Sequence, residues 1–363
     1  MPSIAAYSVA EGVEQALANF VAPVELGFGI VPAPVMFSAE FRDGAWGPGE
    51  LLPFGPISIL PNSRTVQFAE SIFEGMKAYR ARPAAPHLFR PLVNCWRFAA
   101  SATRMGMPEV PESLFLQGVS AVADVCAEII PQQEGASLYV RPLLFSTEGG
   151  YTVSNSSVFR FMVLASPSAA YSSGPMRARI ERVDVRAARG GVGNAKTGGN
   201  YAAAFRATSR AVDEGFAVAL WLDPVERRLI DEFSAMNLFA VIGGELHTPE
   251  LTDSVLSGVT RDSVLALARA GGMEAHEHPM PIDELLADII SGRCTEVIAT
   301  GTAAIVTSIS ALGDADGQIY RPAETRVSDQ LRAELLAIQT RQAPDQFGWT
   351  IDILGQDRAH ACG

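Results

Sequence analysis

The chain has 363 residues, 48% of them hydrophobic, which is enough apolar material for a sizeable buried core. The formal net charge of −12 argues against a nucleic-acid partner, because an acidic surface repels phosphate. Residues 1–20 carry no secretory leader pattern, and no apolar run is long enough to span a membrane. These features predict a cytoplasmic protein with neither a membrane nor a nucleic-acid partner, and the length favours two domains.

Hydrophobic periodicity and turn residues predict the elements in chain order. The first half is predicted to contain a helix at 13–20, a strand at 35–41, a mixed segment at 65–80, helices at 94–105 and 112–129, and strands at 137–145 and 158–165. The second half is predicted to contain a strand at 178–185, a glycine-rich loop at 190–199, a helix at 200–214, strands at 216–222, 228–232 and 238–242, a helix at 259–270, a strand at 296–299 and a helix at 326–340.

A stretch rich in Ser, Pro and Ala separates these two halves. It predicts a linker at 167–177 between a first domain, 1–166, and a second, 178–363. Helices and strands mix without a regular βαβ rhythm, which favours the α+β class over a Rossmann fold or a TIM barrel.

The cysteines and histidines form no recognisable ligand pattern. His276 and His278 lie two residues apart, but no third ligand is near in sequence, so they are interpreted as surface-loop residues and no metal site is predicted. The cysteines are far apart in sequence and contain no Cys-x-x-Cys pair, which favours idle thiols in a reducing compartment. They are Cys95, Cys126, Cys294 and Cys362.

Lysine is rare in this chain. Of 28 basic residues, only Lys77 and Lys196 are lysines. Arginine serves solubility and ion pairing as well as lysine does, but its guanidinium stays protonated and cannot form a Schiff base. A lysine amine can, so the composition singles out two candidates for covalent chemistry.

Lys196 has the more suggestive surroundings of the two. It lies in a glycine-rich run, 190–201, immediately before a predicted helix whose positive end favours nearby anions. A P-loop is excluded because Ala195 stands where that motif requires glycine. Lys77 lies in a crowded, strand-like segment without such a loop and therefore ranks well below Lys196.

Seven segments occur in an order that resembles the branched-chain amino acid aminotransferases, pyridoxal-phosphate (PLP) enzymes of class IV and fold type IV. Without this resemblance, Arg97 would be interpreted as a surface helix arginine, Glu232 as a strand-end acid, and Phe73 and Tyr201 as core aromatics. The segments are 73–79 (Phe-Glu-Gly), 89–97 (Phe-Arg-Pro with Arg97), 138–142 (Tyr-x-Arg-Pro), 196–201 (Lys-x-Gly-Gly-Asn-Tyr), 231–237, 256–261 and 300–303.

The resemblance implies a two-domain α+β fold, with a smaller N-terminal α/β domain and a larger C-terminal pseudo-barrel domain. It implies that Lys196 is the catalytic lysine and carries pyridoxal 5′-phosphate. Tyr201 is then expected to bond the cofactor's ring oxygen, and Glu232 to face its pyridine nitrogen. The residues implied for the remaining cofactor contacts, mainly with the phosphate, are Arg97, Gly258, Val259, Thr260 and Thr302.

For the substrate, the resemblance implies that backbone N–H groups of Thr302 and Ala303 hold the α-carboxylate. Tyr139 and Arg141 are expected to reach this site from the second subunit of a homodimer, whose active sites lie near the interface. Phe73 is expected to line the apolar side-chain pocket.

The implied reaction transfers an amino group between leucine, isoleucine or valine and 2-oxoglutarate, giving a branched 2-oxo acid and glutamate. Phe68 replaces a tyrosine common in the family, Ala235 replaces threonine or glycine, and the Cys-x-x-Cys pair of animal members is absent from 302–307. A specialised class IV enzyme acting on an unusual apolar amino acid therefore stays open, as does a D-amino acid aminotransferase or PLP lyase of the same fold. A catalytically silent PLP-binding homologue is disfavoured, because Lys196, Glu232 and Arg97 are all present.

Overall fold

The computed structural model describes residues 7–81, 83–171 and 174–353. They divide into two compact units. The first unit contains the described residues up to Tyr171 together with those from Ile338 onward, and the second contains the described residues between them, up to Ala337.

Strands and helices are mixed along the described residues, as the α+β prediction requires. In chain order, the strands are β1 (Ser8–Val9), β2 (Val35–Arg42), β3 (Ala45–Trp46), β4 (Glu50–Pro53), β5 (Ser71–Phe73), β6 (Met76–Tyr79), β7 (His87–Phe89), β8 (Ser137–Ser146), β9 (Phe159–Ser168), β10 (Met176–Glu181), β11 (Val218–Leu222), β12 (Ile230–Phe233), β13 (Asn237–Ile242), β14 (Glu245–Pro249), β15 (Ala275–His278), β16 (Cys294–Gly301), β17 (Ile305–Gly313), β18 (Ile319–Tyr320) and β19 (Thr350–Asp352). The helices are α1 (Val13–Asn19), α2 (Arg64–Phe68), α3 (Pro91–Arg104), α4 (Glu112–Val125), α5 (Gly198–Asp213), α6 (Val259–Ala270), α7 (Ile282–Ser291) and α8 (Arg326–Gln339), with a 3-10 turn at Ala127–Ile129.

The first unit is built on a ten-stranded sheet with the order β1-β4-β2-β9-β8-β6-β7-β19, to which β3 adds beside β2 and β5 beside β8. Helix α4 packs on β2 and β9. The core between them is aromatic: Phe37, Phe98, Phe115 and Phe161 are at most 1% exposed. Their burial fixes the face of the sheet that α4 covers.

The end of the described chain returns to this first sheet. Strand β19 pairs antiparallel with β7, and the Trp349 ring packs edge-on against Phe89. This arrangement differs from the predicted domain limits, which assign everything from 178 onward to the second domain. A segment of three strand residues far from its partner in sequence carries no local signal for this pairing.

The second unit contains a nine-stranded sheet with the order β12-β11-β10-β17-β16-β13-β14-β15, and β18 pairs with β17. Its core brings together apolar residues of β10–β13, β16, β17 and α7. Five elements of this unit were not predicted: β14, β15, α7, β17 and β18. Strand β15 carries His276 and His278, so their interpretation as surface-loop residues was wrong. Helix α7 has only ten residues. Strand β17 is buried at all but one position and therefore lacks the alternation that marks a half-buried strand.

Within the described residues, no helix is long and apolar enough to cross a membrane.

The described cysteines are not paired. Cys95, Cys126 and Cys294 are free and buried, and burial raises the pKa of each thiol to about 12. Cys362 lies outside the described residues, as do residues 172 and 173 of the predicted linker.

Candidate active site

Lys196 lies at the end of the loop that joins β10 to α5. The amide side chain of Asn200, in the first turn of α5, donates to the backbone oxygens of Val192 (2.7 Å) and Ala195 (2.9 Å). These bonds fold the loop over the start of the helix. The half-buried Lys196 amine donates to the Tyr201 hydroxyl at 3.0 Å. The structure therefore brings together the predicted catalytic lysine and its predicted tyrosine partner.

Arg186 connects this loop to the segment that precedes α6. Its guanidinium donates to the backbone oxygens of Gly193 (3.0 Å) and Ser254, and it pairs with Glu232 at 3.0 Å. The backbone N–H of Asn194 also donates to the backbone oxygen of Asp253, at 2.9 Å. One arginine, whose side chain is 9% exposed, thus connects the lysine loop, the 252–256 segment and the predicted cofactor carboxylate.

Glu232 lies on β12 and is 3% exposed. Its Oε2 accepts hydrogen bonds from the Asn237 side chain (3.0 Å) and from the Leu256 backbone N–H (3.2 Å). A tight turn between β12 and β13 brings Asn237 back beside Glu232. In that turn, Ala235 has a φ of 59°, a conformation that is costly for any residue with a Cβ.

Burial raises the pKa of Glu232 from 4.5 to about 7, although the charge of Arg186 opposes the shift. Desolvation penalises the charged carboxylate, so a further positive partner would stabilise it. A protonated ring nitrogen that donates to this carboxylate is such a partner. The site therefore fits the pyridine nitrogen of the predicted cofactor.

The same pKa shift predicts how stability depends on pH in the protein freed of cofactor. Between pH 4.5 and about 7, Glu232 is protonated in the folded state and ionised in the unfolded state, so its contribution makes stability fall as pH rises. The effect is on the order of 3 kcal/mol at most. A Glu232→Gln variant cannot titrate at this position, so its melting temperature relative to that of wild type should rise as the pH increases from 5 to 7. A difference in melting temperature that stays constant over this pH range would contradict this assignment.

Helix α6 begins at the segment predicted to hold phosphate. Gly258 precedes it, and among the described residues no side chain caps this helix start. A Cβ on Gly258 would lie 2.0 Å from the Asn237 Oδ1 atom, so only glycine fits beside the amide that supports Glu232. Val259 and Thr260 form the first turn and are buried. Backbone N–H groups and the helix dipole make such a start favourable for an anion.

The Thr302–Ala303 turn connects β16 to β17, where Gly301 pairs with Ile305. Ile305 is buried and has a φ of 64°, which is a strained conformation for a β-branched residue. Arg332, on α8, donates to the backbone oxygens of Ala304 and Val306, each at 2.8 Å. The turn is therefore fixed from behind, as a backbone site for a carboxylate or phosphate requires.

The predicted substrate residues of the first unit also lie together. The Arg141 guanidinium donates to the Tyr139 hydroxyl at 2.7 Å and lies 4.6 Å from the centre of the Phe73 ring. Phe28, which was not predicted, packs on Tyr139 with ring centres 5.0 Å apart. Within the described part of the chain, the buried Nε of Arg141 has no hydrogen-bond partner. The group combines an apolar surface with a cation that has unused donor capacity.

Arg97 has a defined partner in the structure. Its Nε and NH2 groups donate to the two carboxylate oxygens of Glu74, at 2.6 and 2.8 Å. Glu74 is fully buried, and the Arg97 side chain is only 11% exposed, so Arg97 is not a surface helix arginine. Its contact with the cofactor phosphate stays a prediction.

Two other residues singled out by the sequence are also placed. Lys77 is buried on β6, away from any glycine-rich loop, with its amine 5.8 Å from the centre of the Phe28 ring. Phe68 ends α2 and is 46% exposed. Sequence reasoning did not identify Arg186 or Arg332 as supporting residues, because scattered arginines carry no local pattern that distinguishes them. Glu74 lies in the Phe-Glu-Gly segment, but its pairing with Arg97 was not predicted.

Comparisons with known proteins show the family of the chain. The family model described as amino-transferase class IV matches residues 71–312. A probable branched-chain-amino-acid aminotransferase of Staphylococcus aureus (strain N315) is 39% identical, covering 90% of this chain and 93% of the relative. The branched-chain-amino-acid transaminase 1 of Bacillus subtilis (strain 168) is 37% identical, covering 91% and 95%.

A solved structure is also similar. The T.th. branched-chain amino acid aminotransferase, complexed with N-(5′-phosphopyridoxyl)-L-glutamate, has a TM-score of 0.69 and 28% identity, covering 91% of this chain and 100% of that one. The chain therefore belongs to the class IV aminotransferases. Within that class it is a member of the branched-chain-amino-acid aminotransferases, which confirms the predicted family and fold type.

Proposed function

We propose that the protein transfers the amino group of a branched-chain L-amino acid to 2-oxoglutarate, with pyridoxal 5′-phosphate as cofactor. The observation that carries the proposal is the placement of the Lys196 amine on Tyr201, in a loop that Arg186 connects to the buried Glu232. The names of the relatives support the branched-chain substrate. The ligand of the T.th. structure, which joins a phosphopyridoxyl group to glutamate, supports the cofactor and glutamate as the second amino acid.

The residues of this chain offer a partner for each part of the cofactor. Lys196 is proposed to hold it covalently, with Tyr201 at its ring oxygen and Glu232 at its ring nitrogen. The start of α6, at Gly258, Val259 and Thr260, is proposed to hold the phosphate together with Thr302 and Arg97. When bound, the cofactor supplies an electron sink for the pair released from the substrate's Cα–H bond.

Lys196 is proposed to have a second role, which would require its amine to be free. Its amine then accepts the proton from the substrate's Cα, as a positioned general base. Tyr201 holds that amine through the 3.0 Å hydrogen bond. Arg186, Asn237 and the Leu256 N–H hold Glu232 in place. A protonated ring nitrogen beside this carboxylate would favour its ionised form, and the ionised carboxylate would in turn favour the protonated nitrogen.

The substrate is proposed to lie between two kinds of group. The N–H groups of the Thr302–Ala303 turn receive the α-carboxylate, while Tyr139, Arg141 and Phe73 supply orientation and an apolar surface. We further propose a cytoplasmic homodimer in which Tyr139 and Arg141 serve the site of the second subunit. The buried, protonated thiols of the described cysteines are compatible with a reducing compartment.

A screen of amino donors tests the proposed specificity. With 2-oxoglutarate as acceptor, L-leucine, L-isoleucine and L-valine should each react at least about 10²-fold faster than D-alanine or L-aspartate. An apolar pocket rejects the charged side chain of aspartate, and a site that orients L-amino acids rejects the opposite configuration at Cα. The measurement is glutamate formed per active site. If all three branched-chain substrates are inert while another apolar amino acid reacts, the enzyme is a specialised class IV aminotransferase.

That second candidate is favoured by one specific observation. Phe68, where the family commonly has tyrosine, exposes nearly half of its surface in the isolated chain and offers no hydroxyl to a substrate. A pocket that receives this ring is more apolar than one that receives tyrosine. The donor screen separates the two candidates directly.

A further inference from the structure

Four polar side chains lie on one face of the sheet where β14 and β15 pair in parallel. The register places His247 opposite His276 and Pro249 opposite His278. Because alternate residues of a strand point to the same side, Glu245 and His247 share a face with His276 and His278. Glu277 faces the other way, where it pairs with Arg261 and Arg269 of α6. The first face therefore collects three imidazoles and a carboxylate.

Three of these side chains converge on a common point. One ligand atom each from Glu245, His247 and His276 lies within 4.8 Å of the others. The Glu245 Oε2 atom is 3.1 Å from the His276 Nε2 atom and 3.9 Å from the His247 Nε2 atom. Bonds of about 2.0–2.1 Å in a tetrahedral zinc site put ligand atoms about 3.4 Å apart. The observed separations bracket that value.

A chain of hydrogen bonds fixes the tautomer of His247. The Pro279 carbonyl can only accept, so the His278 Nδ1 atom, 2.9 Å away, carries a hydrogen and donates it. In a neutral ring, His278 Nε2 then accepts from His247 Nδ1, which also lies 2.9 Å away. The His247 Nε2 atom is left with its lone pair on the side of Glu245. Metal-binding histidines are oriented in this way by a second hydrogen bond from the opposite ring nitrogen.

The exposure of the group also suits an ion that arrives from solvent. The His247 side chain is 17% exposed, whereas Glu245 and His276 are about half exposed, so an ion can reach all three ligand atoms.

We propose that Glu245, His247 and His276 form a binding site for a divalent transition-metal ion such as Zn²⁺, with His278 orienting His247 from behind. Imidazole and carboxylate ligands suit this class of ion, and three protein ligands leave one position for water. The ion connects the edge strand β15 to β14, so its binding should stabilise the fold. The sequence did not reveal this site, because Glu245 and His247 lie about thirty positions from His276.

The test is zinc binding to the tag-free holoenzyme, measured by calorimetry and by the shift in melting temperature. A Cys362→Ser background removes a thiol that lies outside the described residues. We expect one zinc ion per chain and a rise in melting temperature. His247→Ala and His276→Ala should each weaken binding by at least about 100-fold, and His278→Gln by about 10-fold, as for residues that support a ligand.

Two further variants make the test specific. Glu245→Gln, at an exposed position, should weaken binding and leave the melting temperature in the absence of zinc nearly unchanged. Glu274→Gln removes a neighbouring exposed acid outside the cluster and should bind zinc as wild type does. The proposal would be overturned if the wild-type protein does not bind zinc at about 100 μM, which corresponds to a binding free energy of about −5.5 kcal/mol. Unchanged binding in both histidine-to-alanine variants would do the same.

Discussion

Replacing Lys196 by methionine is expected to reduce transamination by at least about 10³-fold, because it removes a general base worth ~10²–10⁴-fold together with the covalent hold on the cofactor. Methionine keeps an unbranched chain of similar length, so the loop that Asn200 and Arg186 secure should stay folded. The visible absorption band of lysine-bound PLP should disappear with the activity. Both are read from purified protein after PLP is added.

Lys77→Met is the matched control, since Lys77 is the other lysine in the chain. Lys77 is buried on β6, so this variant is expected to lose some stability. It should nevertheless keep the absorption band and a kcat within about threefold of wild type, a difference of less than 1 kcal/mol in the barrier. The reverse pattern, with the band lost only in Lys77→Met, would refute the assignment of Lys196.

Glu232→Gln is expected to lower kcat by about 10²–10³-fold, the range found when one preorganised electrostatic contact is removed. Glutamine fills nearly the same volume and can still accept from Asn237 and Leu256, which bond Glu232 at 3.0 and 3.2 Å. It carries no charge, so it cannot favour a protonated ring nitrogen, and it removes the negative charge that pairs with Arg186. The effect should therefore fall mainly on kcat, with KM for the amino donor changed much less.

Asp231→Asn is the neighbouring control for this experiment. Asp231 is also buried, and burial raises its pKa, but its Oδ1 atom accepts from Ser254 rather than facing the lysine loop. Its variant should keep kcat within a few-fold of wild type. Equal losses in Asp231→Asn and Glu232→Gln would indicate a general effect on the β12 strand instead of a role at the cofactor.

Much of the fold could be predicted because its elements carry local patterns. Helices α3 and α4 match the predicted 94–105 and 112–129 within a few residues, since their apolar positions recur at helical spacing. Strand β17 could not be predicted, because burial on both faces removes the alternation. The pairing of β19 with β7 could not be predicted either, because it joins segments more than 250 residues apart.

In the candidate site, too, contacts between residues close in sequence could be predicted, and contacts made by tertiary structure could not. Lys196 and Tyr201 are five positions apart on one loop and helix start, so their proximity follows from local sequence. Arg186 and Glu232 are brought together only by tertiary structure. Arg182 and Arg189 lie close to Arg186 in sequence, so the sequence does not show which of these arginines pairs with Glu232. The Glu245–His247–His276 group depends on strand register, which a single histidine pair in the sequence does not specify.

The most direct test of the account is chemical mapping of the cofactor lysine. The holoenzyme is reduced with borohydride, digested with trypsin and analysed by mass spectrometry. Because the chain contains only two lysines, the result is unambiguous. We expect a phosphopyridoxyl group on Lys196, within the peptide 190–206. The same group on the peptide that contains Lys77, or on no peptide at all, would contradict it.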